Sequence, residues 1–277
     1  MSPDTWLEIH RGDAPLIVSF PHTGTELPAE LEDRFVSPWL ARRDADWYVH
    51  QLYAFARELG ATTIRTAISR SVIDVNRDPS GISLYPGQNT TGLCPLTTFD
   101  NQPLYRDGFE PDDAEIARRR ERWFTPYHEA LASEIERLRT QHGRVVVYDA
   151  HSIRSHIPHL FEGELPQFNI GTNTDTSCDA RLTDAVEQHC AESGLSHVRN
   201  GRFKGGWITR HHARPAQGVH SIQMELACRG YMDEPSQVTP DTWPTPWSPA
   251  RAQRLQDTLR GVLSAALDFA RTSASLR

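Results

Sequence analysis

A chain of 277 residues, 38% hydrophobic and 23% charged with seven tryptophans along its length, can bury a substantial core. That composition excludes the disordered, collagen-like and low-complexity classes. A formal net charge of −7 provides no basic field for nucleic acid, so any anionic small-molecule partner must be held by individually placed Arg or Lys residues.

The stretch from Met1 to Pro15 holds Asp4, Glu8 and Asp13 and lacks the basic and apolar regions of a signal peptide. No apolar run reaches membrane-spanning length. Cys94, Cys178, Cys190 and Cys228 form no CxxC pair, so a cytoplasmic protein with reduced thiols and no membrane partner is expected.

In chain order, Pro15 to Phe20 is a short apolar run ended by Pro21, the pattern of a strand buried on both faces, and it leaves His22 just past a strand end. Asp44 is a candidate N-cap for a helix with Tyr48, Leu52, Phe55, Ala56 and Leu59 on one face, closed by Gly60. Ala61 to Ala67 predicts a strand, and Ser71 to Val75 a third strand or its continuation. From 76 to 108, prolines at 79, 86, 95 and 103 and glycines at 81, 87 and 92 dissolve the pattern. A loop of that length is read as a cover over a substrate.

Pro111 to His142 has helical spacing, with a kink or break expected at Pro126. Arg144 to Tyr148 is the clearest buried strand and runs into Asp149, Ala150, His151 and Ser152. A helix is predicted from Cys178 to Ser193. Gly218 to Ala227 alternates as a strand, with Gln223 and Glu225 on one face, and Ser248 to Thr272 is an amphipathic helix. Strands alternating with long helices predict an α/β layered fold, and no repeat or linker divides the chain, so one domain over 1–277 is expected.

In open α/β sheets ligands bind beyond the carboxyl ends of the strands. His22 and His151 both stand there and are candidates for a shared metal. Catalytic zinc takes three protein ligands and leaves one position open. Asp46 is the preferred third ligand, Glu26 competes with it, and Asp149, Asp44 and His156 are further candidates. Amide hydrolysis also needs a base, and Glu225, on an apolar strand where an idle carboxylate would be costly, suits that task. Arg77 with Asn76 offers a fork and an amide donor for a carboxylate, with Arg70, Lys204 and Arg210 as further cations.

Eight ordered blocks then converge on one family. They are Ser19 to Gly24, Asp46 to Val49, Ser69 to Pro79, Tyr148 to Arg154, Pro158 to Gly163, Phe168 to Thr172, Phe203 to Gly206 and Gln223 to Leu226. Over about Pro15 to Glu234 the chain resembles the N-formylglutamate amidohydrolases, or deformylases, of bacterial histidine degradation.

The resemblance implies an α/β fold similar to zinc carboxypeptidases (phosphorylase/hydrolase-like), a three-layer arrangement with a mixed sheet between helices. It implies one divalent ion, zinc being the expectation, held by His22, His151 and, as third ligand, Asp46. Thr25 stands where the His-x-x-Glu pattern of that wider group would place its glutamate. By the same likeness Asn76 and Arg77 bind the substrate carboxylate and Glu225 is the general base; in the mechanism this suggests, Arg70 is the cationic neighbour expected to stabilise the oxyanion. One of Arg70, Arg210 and Lys204 is left to meet a side-chain carboxylate. The implied reaction releases formate and L-glutamate from N-formyl-L-glutamate. A deacylase of another N-acyl amino acid and a non-catalytic binding protein that kept the fold are the rival readings.

Overall fold

A computed structural model of the chain describes residues 6–84 and 87–272. Asp4 and Pro86, both used in the sequence reading, lie outside the described residues. Among the described residues seven strands form one sheet: β1 (Leu7–His10), β2 (Leu16–Phe20), β3 (Thr62–Thr66), β4 (Val145–Ile153), β5 (Phe168–Gly171), β6 (His197–Arg199) and β7 (Val219–Ala227). Their order is β1-β3-β2-β4-β7-β5-β6. The central strands β3, β2, β4 and β7 run parallel, while β1 and β5 pair antiparallel to their inner neighbours. The helices are α1 (Ala29–Glu32), α2 (Pro38–Arg42), α3 (Val49–Leu52), α4 (Asp113–Arg119), α5 (Thr125–His142), α6 (Ala180–Glu192), α7 (Trp207–His211) and α8 (Pro249–Arg271).

Alternation along the strands feeds two apolar layers. Leu16, Val18, Val146, Tyr148, Ile222 and Met224 face α6 and α8, whereas Ile17, Ile64, Val145, Val147 and Val219 face Tyr127, Leu131 and Ile135 of α5. Both faces are therefore covered, and all nine residues of β4 and of β7 are buried. The predicted mixed sheet flanked by helices is observed. Among the described residues no helix is long and apolar enough to cross a membrane.

Several local predictions need correction. Ser71 to Val75 joins no strand: Ser69 Oγ accepts the Ser71 amide and the Ser69 carbonyl accepts that of Val72, which closes a turn. Val72, Ile73 and Val75 are nonetheless buried, so the apolar pattern reported burial and not pairing. The helix expected after Asp44 starts only at Val49, because Tyr48 takes a left-handed conformation (φ 61°), and it is split at Tyr53 (φ −98°, ψ 18°) into α3 and a 3₁₀ turn at Ala54–Arg57. Asp46 therefore precedes that helix, and the Asp44 carboxylate accepts the Phe99 amide at 2.7 Å instead of capping.

The long helix is continuous from 113 to 142 except for one wide π turn, Arg120–Phe124, placed just before Pro126, whose missing N–H cannot serve a regular ladder. The β4 strand extends to Ile153, because its nine-residue ladder with β7 keeps the polar half extended. His151 thus lies within the strand and not beyond it.

A buried imidazole pair joins α5 to the residue after α7. His128 Nδ1 lies 2.9 Å from His212 Nε2, and His128 Nε2 donates to the Val75 carbonyl at 2.8 Å. Burial pushes His128 down to about 4, against Val75, which favours the charged form, and pushes His212 well below its usual value. Between pH 6.5 and about 4 the unfolded chain therefore binds protons at these positions that the folded chain refuses. Stability should be intact above pH 6.5 and fall as the pH drops through that window, by about 3 kcal/mol for His128. Urea midpoints at pH 7 and 4.5 test this, with His128→Asn expected to flatten the dependence; an unchanged acid slope in that variant would contradict the assignment.

Candidate metal centre and active site

The parallel course of β2, β4 and β7 brings their carboxyl ends to one edge of the sheet. On the face toward α5, Val145 and Val147 of β4 are apolar, and the next two inward positions are Asp149 and His151. The same face of β7 passes from Val219 through Ser221 to Gln223 and Glu225. In register, Asp149 pairs with Gln223 and His151 with Glu225. His22 enters two residues after β2, and its carbonyl accepts the Asp46 amide at 2.9 Å, which draws the 44–46 stretch onto the site.

The rings of His22 and His151 stand 4.8 Å apart, centroid to centroid. His151 Nδ1 lies 3.0 Å and His22 Nδ1 3.8 Å from Asp46 Oδ2. One ligand atom from each of these three buried residues lies within 4.8 Å of the others, so the group can hold a metal ion. Two buried atoms here, His22 Nδ1 and Asp46 Oδ1, have no hydrogen-bond partner, an arrangement that an ion would satisfy. The far ring nitrogens are each met by a carboxylate, His22 Nε2 by Asp74 at 2.6 Å and His151 Nε2 by Asp149 at 3.0 Å. Carboxylates on the outer nitrogens are the usual way to orient imidazoles toward a metal.

The other ligand candidates stand outside this group. Glu26 is exposed, with its backbone bridged to Ile68. His156 is also exposed, Asp44 serves the Phe99 amide, and Asp149 occupies the outer side of His151.

Charge in this buried cluster is finely divided. Burial and the Arg70 charge depress His22 to about 4, although Asp74 and Asp46 act the other way. Burial also acts against charge on His151, but Asp149 and Asp46 outweigh it and hold its value well above the usual one. Asp74 is held well below the carboxylate range despite burial, by Arg77, His22 and Arg70. Glu225 is pushed up to about 8 by burial and by Asp46 and Asp149, with His151 and Arg70 opposing.

A cavity opens onto these groups, and His22, His151, Glu225, Arg70, Arg77 and Asn76 are all in its wall. Arg70 is buried, donates to Asp74 at 2.7 Å, lies 3.7 Å from Asp46 and sits over the Phe99 ring. Asn76 acts largely as a brace: its Nδ2 donates to Asp149 at 3.0 Å and its Oδ1 accepts the Ile208 amide at 2.7 Å. That docking admits only glycine at 206, where a Cβ would meet Asn76 Nδ2 at 2.5 Å. The Gly206 amide in turn donates to Gln223 Oε1 at 2.7 Å, and Gln223 Nε2 donates to Glu225 at 3.4 Å.

Lys204 and Arg210, expected from the sequence to meet a carboxylate, do not line the cavity, whereas Arg202 does. Asp74 and Gln223 were also missed as site residues. A signal for Asp74 existed, since an acid between Ile73 and Val75 in a buried run needs a partner. Nothing local marked Arg202.

Residues 14–232 match the family model for N-formylglutamate amidohydrolase. The chain belongs to that family. The N-formylglutamate amidohydrolase match spans all eight sequence blocks and contains His22, Asp46, His151 and Glu225. The chain is 45% identical over 265 residues to an N-formylglutamate deformylase of Pseudomonas putida, covering 95% of this chain and 96% of that one. It is 49% identical over 232 residues to an N-formylglutamate deformylase of Pseudomonas aeruginosa, covering 83% and 87% of the two chains. Its fold is similar to the crystal structure of N-formylglutamate amidohydrolase from Ralstonia eutropha, with a TM-score of 0.75, 26% identity and coverage of 95% and 96%. A gene product of Agrobacterium tumefaciens shares the fold at a TM-score of 0.70 and 18% identity, over 96% of each chain.

Proposed function

We propose that this chain hydrolyses N-formyl-L-glutamate to formate and L-glutamate, using one divalent ion, zinc by its likeness to the N-formylglutamate amidohydrolases, held by His22, Asp46 and His151. The observation that carries the reading is the pairing of Glu225 beside His151, with its carboxyl opening onto the same cavity, in a chain of this family. A divalent ion bound there supplies Lewis-acid chemistry, lowering the pKa of water and polarising the formyl carbonyl.

The chain's own groups do the rest. Glu225 takes a proton from the attacking water and returns it to the leaving nitrogen. Its carboxyl, raised toward neutrality by burial, is matched to both halves of that transfer. Arg70 faces the cavity as a fixed positive charge where an oxyanion develops. Arg77 meets the α-carboxylate, with Asn76 bracing the wall behind it, and Asp74 and Asp149 keep the two imidazoles aimed.

Asn89, Thr90, Thr91 and Phe99 in the cavity wall support the 76–108 segment as a substrate cover. The single sheet supports a one-domain reading over 1–277, and its helix-covered, parallel centre supports a zinc carboxypeptidase-like scaffold. The four free, buried cysteines are consistent with work in the cytoplasm, and hydrolysis of N-formylglutamate suits histidine degradation.

Substituting Asn for Asp149 should weaken metal binding about 10- to 100-fold while leaving the ligands in place, as loss of an outer-nitrogen partner typically does. Competition against a chelating dye measures this; unchanged affinity would remove Asp149 from the account. The reaction itself is tested with N-formyl-, N-acetyl- and N-succinyl-L-glutamate. The formyl substrate should be preferred by about tenfold or more over acetyl. Faster turnover of an acetyl or succinyl substrate would assign the chain to another N-acyl amino acid.

A further inference from the structure

Three guanidinium groups line the cavity, and they are not equivalent. Arg70 is charge-compensated by Asp74 at 2.7 Å and Asp46 at 3.7 Å. Arg77 donates to the carbonyl and hydroxyl of Thr91 and to the Asn76 carbonyl, and stands 3.7 Å from Asp74. Arg202 lies over the Phe203 ring at 5.3 Å and is steered by two carbonyls, Nε donating to Leu160 at 3.0 Å and Nη2 to Asn89 at 2.8 Å.

Arg77 and Arg202 arrive from segments far apart in the chain, yet both are tied to one short stretch, Asn89 to Thr91. Two residues of chain span at most ~7 Å, so the two forks are kept close to each other. Asn89 is itself secured by donating to the His159 carbonyl at 2.8 Å. Apolar Ile153, Leu160 and Phe203 share the wall near Arg202, which strengthens an ion pair formed there. Two planar forks on one strap suit a ligand with two carboxylates about four C–C bonds of ~1.5 Å apart.

Building on the deformylase reading, we propose that Arg202 receives the second, side-chain carboxylate of the substrate, so that the site selects N-formyl amino acids with an acidic side chain. Arg77 takes the α-carboxylate common to all such substrates, and Arg202 supplies the discrimination. A neutral side-chain amide of the same shape would leave the Arg202 guanidinium without its anion.

The test is kcat/KM for N-formyl-L-glutamate and N-formyl-L-glutamine, measured on the metal-loaded protein and on its Arg202→Gln, Arg202→Lys and Arg77→Gln variants. The wild-type preference for the acidic substrate should be about 50-fold or more, collapse toward unity in Arg202→Gln and be partly kept in Arg202→Lys. Arg77→Gln should lower both substrates together and keep the ratio. If Arg202 only holds the strap, Arg202→Gln will depress both substrates equally and preserve the preference, which overturns the proposal. A wild-type protein that hydrolyses neither formyl substrate would instead overturn the deformylase reading on which it stands.

Discussion

Glu225→Gln should lower kcat for formate release about 1,000-fold, within the range that a positioned acid–base group contributes, with KM and metal content close to wild type. Glutamine keeps the shape and the neighbour Gln223 but can neither accept the water's proton nor return one. The substitution removes a carboxyl that burial already disfavours in its charged form, so the folded protein should lose no stability. Circular dichroism and metal analysis accompany the rate measurement. A variant keeping a tenth or more of wild-type turnover would take Glu225 out of the proton path.

His22→Ala should abolish metal retention and lower turnover on the order of 10,000-fold, because the chemistry that makes water acidic is lost with the ion. This position separates binding from folding better than His151 does. When His22 is truncated, Asp74 still has Arg70 at 2.7 Å and Arg77 at 3.7 Å. Truncating His151 would leave Asp149 to the neutral donors Asn76 and Ser19 and Asp46 to Arg70 at 3.7 Å, so two buried carboxylates would lose the imidazole they share and stability should fall further. Metal content after dialysis and the thermal midpoint should therefore part company in His22→Ala, the first falling to background and the second moving little. Retention of one ion per chain by this variant would contradict the ligand assignment.

The site was legible where chemistry follows from strand geometry. His22 could be located because Pro21 ends an apolar run, and Glu225 because β7 alternates cleanly. The polar half of β4 was not legible as strand: Asp149 and His151 look like loop residues until the ladder with β7 extends them. Strands β1, β5 and β6 are three or four residues long and carry too little pattern to announce themselves. Ser71 to Val75 misled because burial and sheet pairing select the same residue types. Partners distant in sequence were hidden for a different reason. The bond from His22 to Asp74 spans 52 positions and that from Arg202 to Asn89 spans 113, so only tertiary contact reveals either.

The most direct test of the metal-centred account is a titration of metal-free protein with Zn²⁺ while formate release from N-formyl-L-glutamate is followed. Activity should rise linearly from near zero and level off at one ion per chain. Full activity in the chelated protein, with no ion bound, would contradict it.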